Sequence, residues 1–146
     1  MRTSLAAQKV SGAAAGALVA LRTGGARDVR VFEVGVFVGS AVAGTVGLGR
    51  PAAQGVTPTV LTGPTAQANS HDSASLVGTT VIDGTWATAP TAPATYWRRA
   101  ALPATIGAGV IWTFPLGITI PTSSSIVIHQ ISTAAVTYEV YFEFDE

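Results

Sequence analysis

The sequence predicts an all-β fold of two antiparallel sheets packed face to face, on three observations. Apolar residues recur mostly at every second position rather than at the helical period of 3.6. Gly, Pro, Thr and Ser break these runs at short intervals, as turns do between strands. About eight short candidate strands fall within some 120 residues, the density of a sandwich or barrel. The chain has 146 residues, enough for one hydrophobic core, and neither an internal repeat nor a domain boundary stands out.

Along the chain, residues 13–21 (AAAGALVAL) follow Lys9 and look faintly like a signal peptide, but nine residues cannot span a bilayer. They are expected to be a buried strand or short helix of the folded body. Residues 28–38 (DVRVFEVGVFV) are apolar on both faces and read as a central strand. Strict alternation puts Phe32, Val34, Val36 and Val38 on one face, and Val29, Val31 and Phe37 on the other with Glu33. Weaker candidates lie at 42–48, 57–62 and 75–82. Residues 63–74 read as a polar turn region and 87–95 as an extended Pro/Ala/Thr loop. Three strands follow, at 109–114, 117–120 and 125–131, split by Pro115-Leu116 and by Pro121 with three hydroxyl residues. At the end, Tyr138, Val140, Phe142 and Phe144 alternate with Glu139, Tyr141, Glu143 and Asp145, which marks a strand with one wet face. These strands fit an antiparallel β-sandwich of jelly-roll type with an N-terminal extension. An immunoglobulin-like sandwich demands the same alternation. The expected organisation is residues 1–23 as an N-terminal arm or first strand and 24–146 as a single sandwich domain.

Charge is scarce. Hydrophobic residues make up 48% of the chain and charged ones 11%, against about 25% in an average soluble domain. Charge keeps a monomer dispersed, whereas obligate interfaces are apolar, so assembly onto copies of itself or a larger body is expected. Net charge is zero but segregated: residues 1–50 hold six bases and two acids, while residues 139–146 hold four acids and no base. Head-to-tail complementarity between copies follows as an expectation. Neither end is basic or aromatic enough for nucleic-acid binding, no segment suits a membrane, and the absence of cysteine excludes disulfides and thiolate metal sites.

Few groups bear chemistry. Ser70, His71 and Asp72 are adjacent, but neighbours in an extended segment point apart, whereas a triad needs three groups converging beside an oxyanion hole. His129 sits in an apolar strand, without the spacing of a metal site. Outside the tail the carboxylates are Asp28, Glu33, Asp72 and Asp83; Glu33 is expected to face outward or to pair with an arginine such as Arg30. No catalytic, cofactor or metal site is expected. The best binding signal is aromatic: Trp86, Tyr96 and Trp97, with Arg98 as a polar rim, form a candidate glycan or interface patch, while Trp112 reads as core. Arg2, Lys9, Val10 and Arg22 make the N-terminal segment a candidate attachment arm.

Residues 27–38 (RDVRVFEVGVFV), 46–59 (VGLGRPAAQGVTPT), 96–121 (YWRRAALPATIGAGVIWTFPLGITIP) and 140–146 (VYFEFDE) together resemble the small jelly-roll decoration, or cement, proteins of tailed-bacteriophage capsids. The resemblance spans nearly all of residues 24–146 and is one of pattern and phrase. It implies a non-enzymatic subunit on the outer surface of the virion head, commonly a homotrimer bound to the major capsid protein. The alternative is a head-fibre or tail-tip module that binds host surface glycans.

Overall fold

A computed structural model describes residues 2–62, 66–70 and 79–146. Among them are eleven strands: β1 (Arg2–Val10), β2 (Gly16–Arg22), β3 (Val29–Val38), β4 (Gly44–Gly49), β5 (Val56–Val60), β6 (Ala66–Ser70), β7 (Val81–Thr88), β8 (Arg98–Leu102), β9 (Gly109–Ile120), β10 (Ser125–Gln130) and β11 (Thr137–Asp145). They form two antiparallel sheets, ordered β6-β1-β11-β3-β9 and β5-β7-β2-β10-β4-β8.

The pairings are nested: β1 with β11, β2 with β10, β3 with β9, β4 with β8 and β5 with β7. Successive pairs from the outermost inward alternate between sheets as far as β4 and β8. One long hairpin rolled over itself gives this pattern, which is jelly-roll connectivity and decides against the immunoglobulin-like alternative.

The chain's start is integral to both sheets. β1 pairs along its whole length with β11 and on its other side with β6, and β2 lies between β7 and β10. Leu5, Ala7, Leu18, Val19 and Leu21 belong to the core. Of the two readings of residues 1–23, the free arm is therefore corrected to first strands: backbone that satisfies its hydrogen bonds in two ladders cannot also reach out as a tether.

Between the sheets, β11 contributes Tyr138, Val140, Phe142 and Phe144, all buried, with its acidic residues outside. From β3 come Val29, Val31, Val34, Val36 and Val38, and here strict alternation fails. A register shift between Val31 and Glu33 inserts one extra residue, a β-bulge, so five valines face inward while Phe32 and Phe37 move to the outer side. Phe32 lies under the Arg2 guanidinium, 4.2 Å from the ring centre.

β9 runs unbroken where two strands were expected. Its register jumps opposite the β3 bulge, and Gly117 takes φ +71°, a left-handed conformation that glycine adopts without strain. Pro115 is tolerated because β9 is an edge strand, with no partner on its second side among the described residues. β6 occupies 66–70, within the expected turn region, and β8 begins directly after Tyr96-Trp97, which the sequence also allows to anchor the start of a strand. The weaker candidates at 42–48 and 57–62 correspond to β4 and β5 with ends shifted by one or two residues. Half of the 75–82 candidate lies outside the described residues, and its last two residues begin β7.

Phe142 is fully buried, and its truncation to Ala is expected to destabilise the protein by about 3–5 kcal/mol in denaturant titration. Leu116→Ala, at an 89% exposed position, should stay within about 0.5 kcal/mol. Deleting residues 2–12 removes β1 and should abolish cooperative unfolding followed by circular dichroism; a truncated chain that melts cooperatively near the native temperature would restore the arm.

Candidate functional site

The outer face of the six-stranded sheet is built from small residues. Gly49, Val127 and Ala20 lie across from one another on β4, β10 and β2, and Gly47, His129 and Ala17 form the next row. Two connections fold over this floor. Residues 50–55 leave β4 for β5 and residues 89–97 run from β7 to β8; they bridge through Ala52 N to Thr91 O and Thr91 N to Ala53 O, each 3.0 Å. Tyr96 rests on Gly47 and Pro93 on Gly49, where a Cβ would stand 2.7 Å and 3.0 Å from their rings. Glycine is required at Gly47 because the tyrosine occupies the space of a side chain.

The expected aromatic patch is thereby divided. Trp86 stands on β7, packed on Gly55. Tyr96 belongs to the cover, with its ring centre 5.8 Å from that of His129. Trp97 is 37% exposed and ties to β4 through its N–H to Leu48 O, with the Arg50 guanidinium 5.7 Å from its ring centre. Arg98 turns to Phe114, 5.2 Å from the ring centre, and donates to Trp97 O. β7 and β8 are separated by three strands, about 19 Å at ~4.8 Å per step, so Trp86 and Trp97 do not share a stacking platform.

Beneath the cover His129 is 1% exposed, and neither ring nitrogen has a hydrogen-bond partner. Burial pushes its pKa below the usual histidine range. Of the residues expected to form an arm, Arg22 is fixed by a bidentate pair with Asp83, Nε to Oδ2 at 2.6 Å and Nη2 to Oδ1 at 3.0 Å. Asp83 is 1% exposed, and the fork geometry holds its charge inside the protein. Arg2 lies near Glu143 and Asp145 at the edge of ion-pair range. Lys9 and Val10 line a groove at one end of the sandwich. Within the sequence Asn69–Ser73, Asn69 and Ser70 belong to β6, and His71, Asp72 and Ser73 lie outside the described residues.

The five-stranded sheet presents a different outer face. Glu33 and Glu143 lie directly opposite each other on β3 and β11. Glu33 faces outward and accepts a hydrogen bond from the Tyr141 hydroxyl rather than pairing with Arg30. Burial first, then Glu33 and Glu143, push the Tyr141 phenol upward, so it stays protonated as a donor. Tyr141 stacks on Phe37 at 6.4 Å and covers Gly35. Beside them Ile111 is 51% exposed, and β9 offers a twelve-residue edge without one charged side chain. Among the described residues no group of three His, Asp or Glu could hold a metal ion.

The groove at the β1–β2 end measures about 260 Å³. Lys9 and Val10 form one wall, Thr85 and Trp86 the other, and Gln130 the inner end. Gln130 is 2% exposed; its Nε2 donates to Gly12 O and Ala14 O, and its Oε1 has no partner. Trp86 marked this end of the molecule in the sequence as part of an aromatic patch, and Lys9 and Val10 were marked as part of an arm, whereas Gln130 carries no local pattern that would have marked it. Comparison of the chain with family models, curated proteins and solved structures finds no match.

Because folded His129 resists protonation and the unfolded side chain titrates near pH 6.5, stability is complete above about pH 6.5. It is lost as pH falls toward the depressed folded value, by at most about 1.4 kcal/mol per pH unit. The His129→Leu variant should lack this component when denaturant midpoints are compared between pH 7.5 and 5. Arg22→Met strands the buried Asp83 carboxylate; breaking a fully buried pair costs about 3–5 kcal/mol, and with Arg22 35% exposed roughly 2 kcal/mol is expected after screening. Asp83→Asn, which removes the buried charge itself, should cost less in the same titration.

Proposed function

We propose that this protein is a non-enzymatic structural subunit that decorates the assembled head of a tailed bacteriophage as a homo-oligomer, most simply a trimer, bound to the major capsid protein. One observation carries the reading. The six-stranded sheet is covered by its own chain, while among the described residues nothing covers the outer face of the five-stranded sheet, with Phe37, Tyr141 and Ile111 on it and the uncharged β9 at its margin. Edge strands of proteins that remain single carry charge or are capped. Here Arg50 caps Thr119 O near one end of β9, and Leu116 stands fully outward midway.

The charge distribution supports head-to-tail contact. Arg98 and Arg99 lie on edge strand β8, and Glu33, Glu139, Glu143 and Asp145 lie on the uncovered face. A contact between two different surfaces generates a ring if its rotation closes, and a threefold ring is the small closed solution. The jelly-roll fold, the scarcity of charge and the resemblance of residues 27–38, 46–59, 96–121 and 140–146 to phage decoration proteins support a role on a capsid. A head-fibre or tail-tip module binding host glycans is the second reading, favoured by the Trp86 groove.

Light scattering on the purified chain at micromolar concentration is expected to give three times the chain mass. Ile111→Glu with Leu116→Glu should return it to monomer without loss of thermal stability. Quantitative mass spectrometry of purified particles should find hundreds of copies per virion, spread over the head in electron micrographs. A few copies confined to a fibre or tail tip would overturn decoration in favour of the second reading.

A further inference from the structure

We propose that the groove between the β1–β2 turn and β7 is a binding site for a single sugar ring carrying a carboxylate, a uronic-acid or nonulosonic-acid residue. The argument starts from the sandwich's open end, where the sheets must be closed by whatever side chains lie there. Elsewhere in the interior Val, Leu, Ile, Phe, Tyr and Trp fill most of the space. Here small and apolar residues are joined by Lys9, Ser11, Thr85 and Gln130, and the Gln130 Oε1 atom lacks a partner.

Lys9 lies at the end of β1, opposite Tyr138, and its ammonium has no carboxylate or hydrogen-bond acceptor among the described residues. Desolvation lowers its pKa, so the site holds a cation at a cost that an incoming carboxylate would offset. The Gln130 side chain is oriented by its Nε2 bonds to Gly12 O and Ala14 O, which leaves Oε1 as an acceptor with no donor. A buried amide oxygen without a partner is rare in native proteins and marks a place where a donor belongs. Trp86 supplies an apolar wall, and the turn over Gln130 is Ser11 followed by Gly12 and three alanines, with open space at the Cβ positions of Gly12 and Gly16.

These groups fix the chemistry of the occupant. An ammonium selects a carboxylate, an orphan amide oxygen selects a hydroxyl or amide N–H, and an indole selects the C–H face of a ring. A carboxylated sugar presents all three. A volume of about 260 Å³ lies below the roughly 300–1,000 Å³ of drug-sized pockets and suits one ring rather than a chain. Ser11 is held to Val136 by two hydrogen bonds of 2.9 Å, so the sugar would reach the buried Oε1 by displacing residues 12–15 alone. The inference does not depend on where in a virion the protein sits.

The test uses the purified full chain and three probes: methyl β-glucuronide, N-acetylneuraminic acid and the neutral methyl β-glucoside. Ligand-observed NMR and calorimetry should show at least one carboxylated sugar binding with a dissociation constant on the order of 1 mM, the scale for one ring at ordinary ligand efficiency. The neutral glucoside should bind at least about tenfold more weakly. Lys9→Met should remove the preference for the acid, and Trp86→Leu should weaken both acid and neutral sugars. Gln130→Glu, which turns the amide donor into an acceptor, should weaken binding while thermal melting reports whether the turn survives. Chemical-shift changes should map to Thr85, Trp86 and Gln130. Equal binding of acid and neutral sugar, affinity unchanged in Lys9→Met, or no saturation by either acid would overturn the assignment whatever the oligomeric state proves to be.

Discussion

The pairing of β11 between β1 and β3 is the constraint on which the sandwich rests. Tyr138, Val140, Phe142 and Phe144 are central to the core, yet the strand that carries them is held on one side by the beginning of the chain and on the other by β3. None of these contacts is local. Loop-closure entropy must be met before the aromatic face is buried, and nested antiparallel topologies of this kind fold slowly for that reason. The same arrangement explains why the first strands cannot serve as a movable arm: withdrawing β1 would leave a row of β11 hydrogen-bonding groups and its Phe side chains without cover.

The two sheets solve the problem of an outer surface differently. Over the six-stranded sheet, Gly47, Gly49, Ala17 and Ala20 keep the floor low enough for residues 50–55 and 89–97 to lie on it, and Tyr96 and Pro93 fill the places that side chains would otherwise take. The result is a third layer that encloses His129. Over the five-stranded sheet no comparable layer exists among the described residues, and Tyr141, Phe37 and the opposed Glu33 and Glu143 form the surface. With 11% of the chain charged, that face relies on these few carboxylates for its contact with water.

How much of this the sequence revealed depends on the wetness of each strand. β11 was legible to the residue, because one face meets solvent and its acids alternate with its aromatics. β3 was legible as a central strand but not in its facing, since with apolar residues on both sides nothing in the pattern betrays a bulge. Pro115 and Gly117 made β9 read as two strands, although an edge position lets the strand pass through both. β8 begins with two arginines followed by two alanines, and β6 consists of Ala, Gln, Asn and Ser, so neither offers the β-branched alternation that marks a strand. The candidate groove was only partly visible, through Trp86 as part of a patch and Lys9 and Val10 as part of an arm. Lys9 and Gln130 come from opposite ends of the chain, and nested pairing rather than any motif brings them to one end of the sandwich.

The bulge in β3 carries a consequence for how such a chain can change over time. Removing Phe32 would bring Val31 and Val34 two positions apart, so ordinary alternation alone would turn all five valines inward. The contact beneath Arg2 would be lost, while the strand's share of the core would survive. Loss or gain of one residue outside the bulge turns every side chain beyond it to the other face. Descendants of this gene can therefore shed a residue at the bulge, whereas in-frame insertions and deletions elsewhere in β3 are purged where substitutions survive.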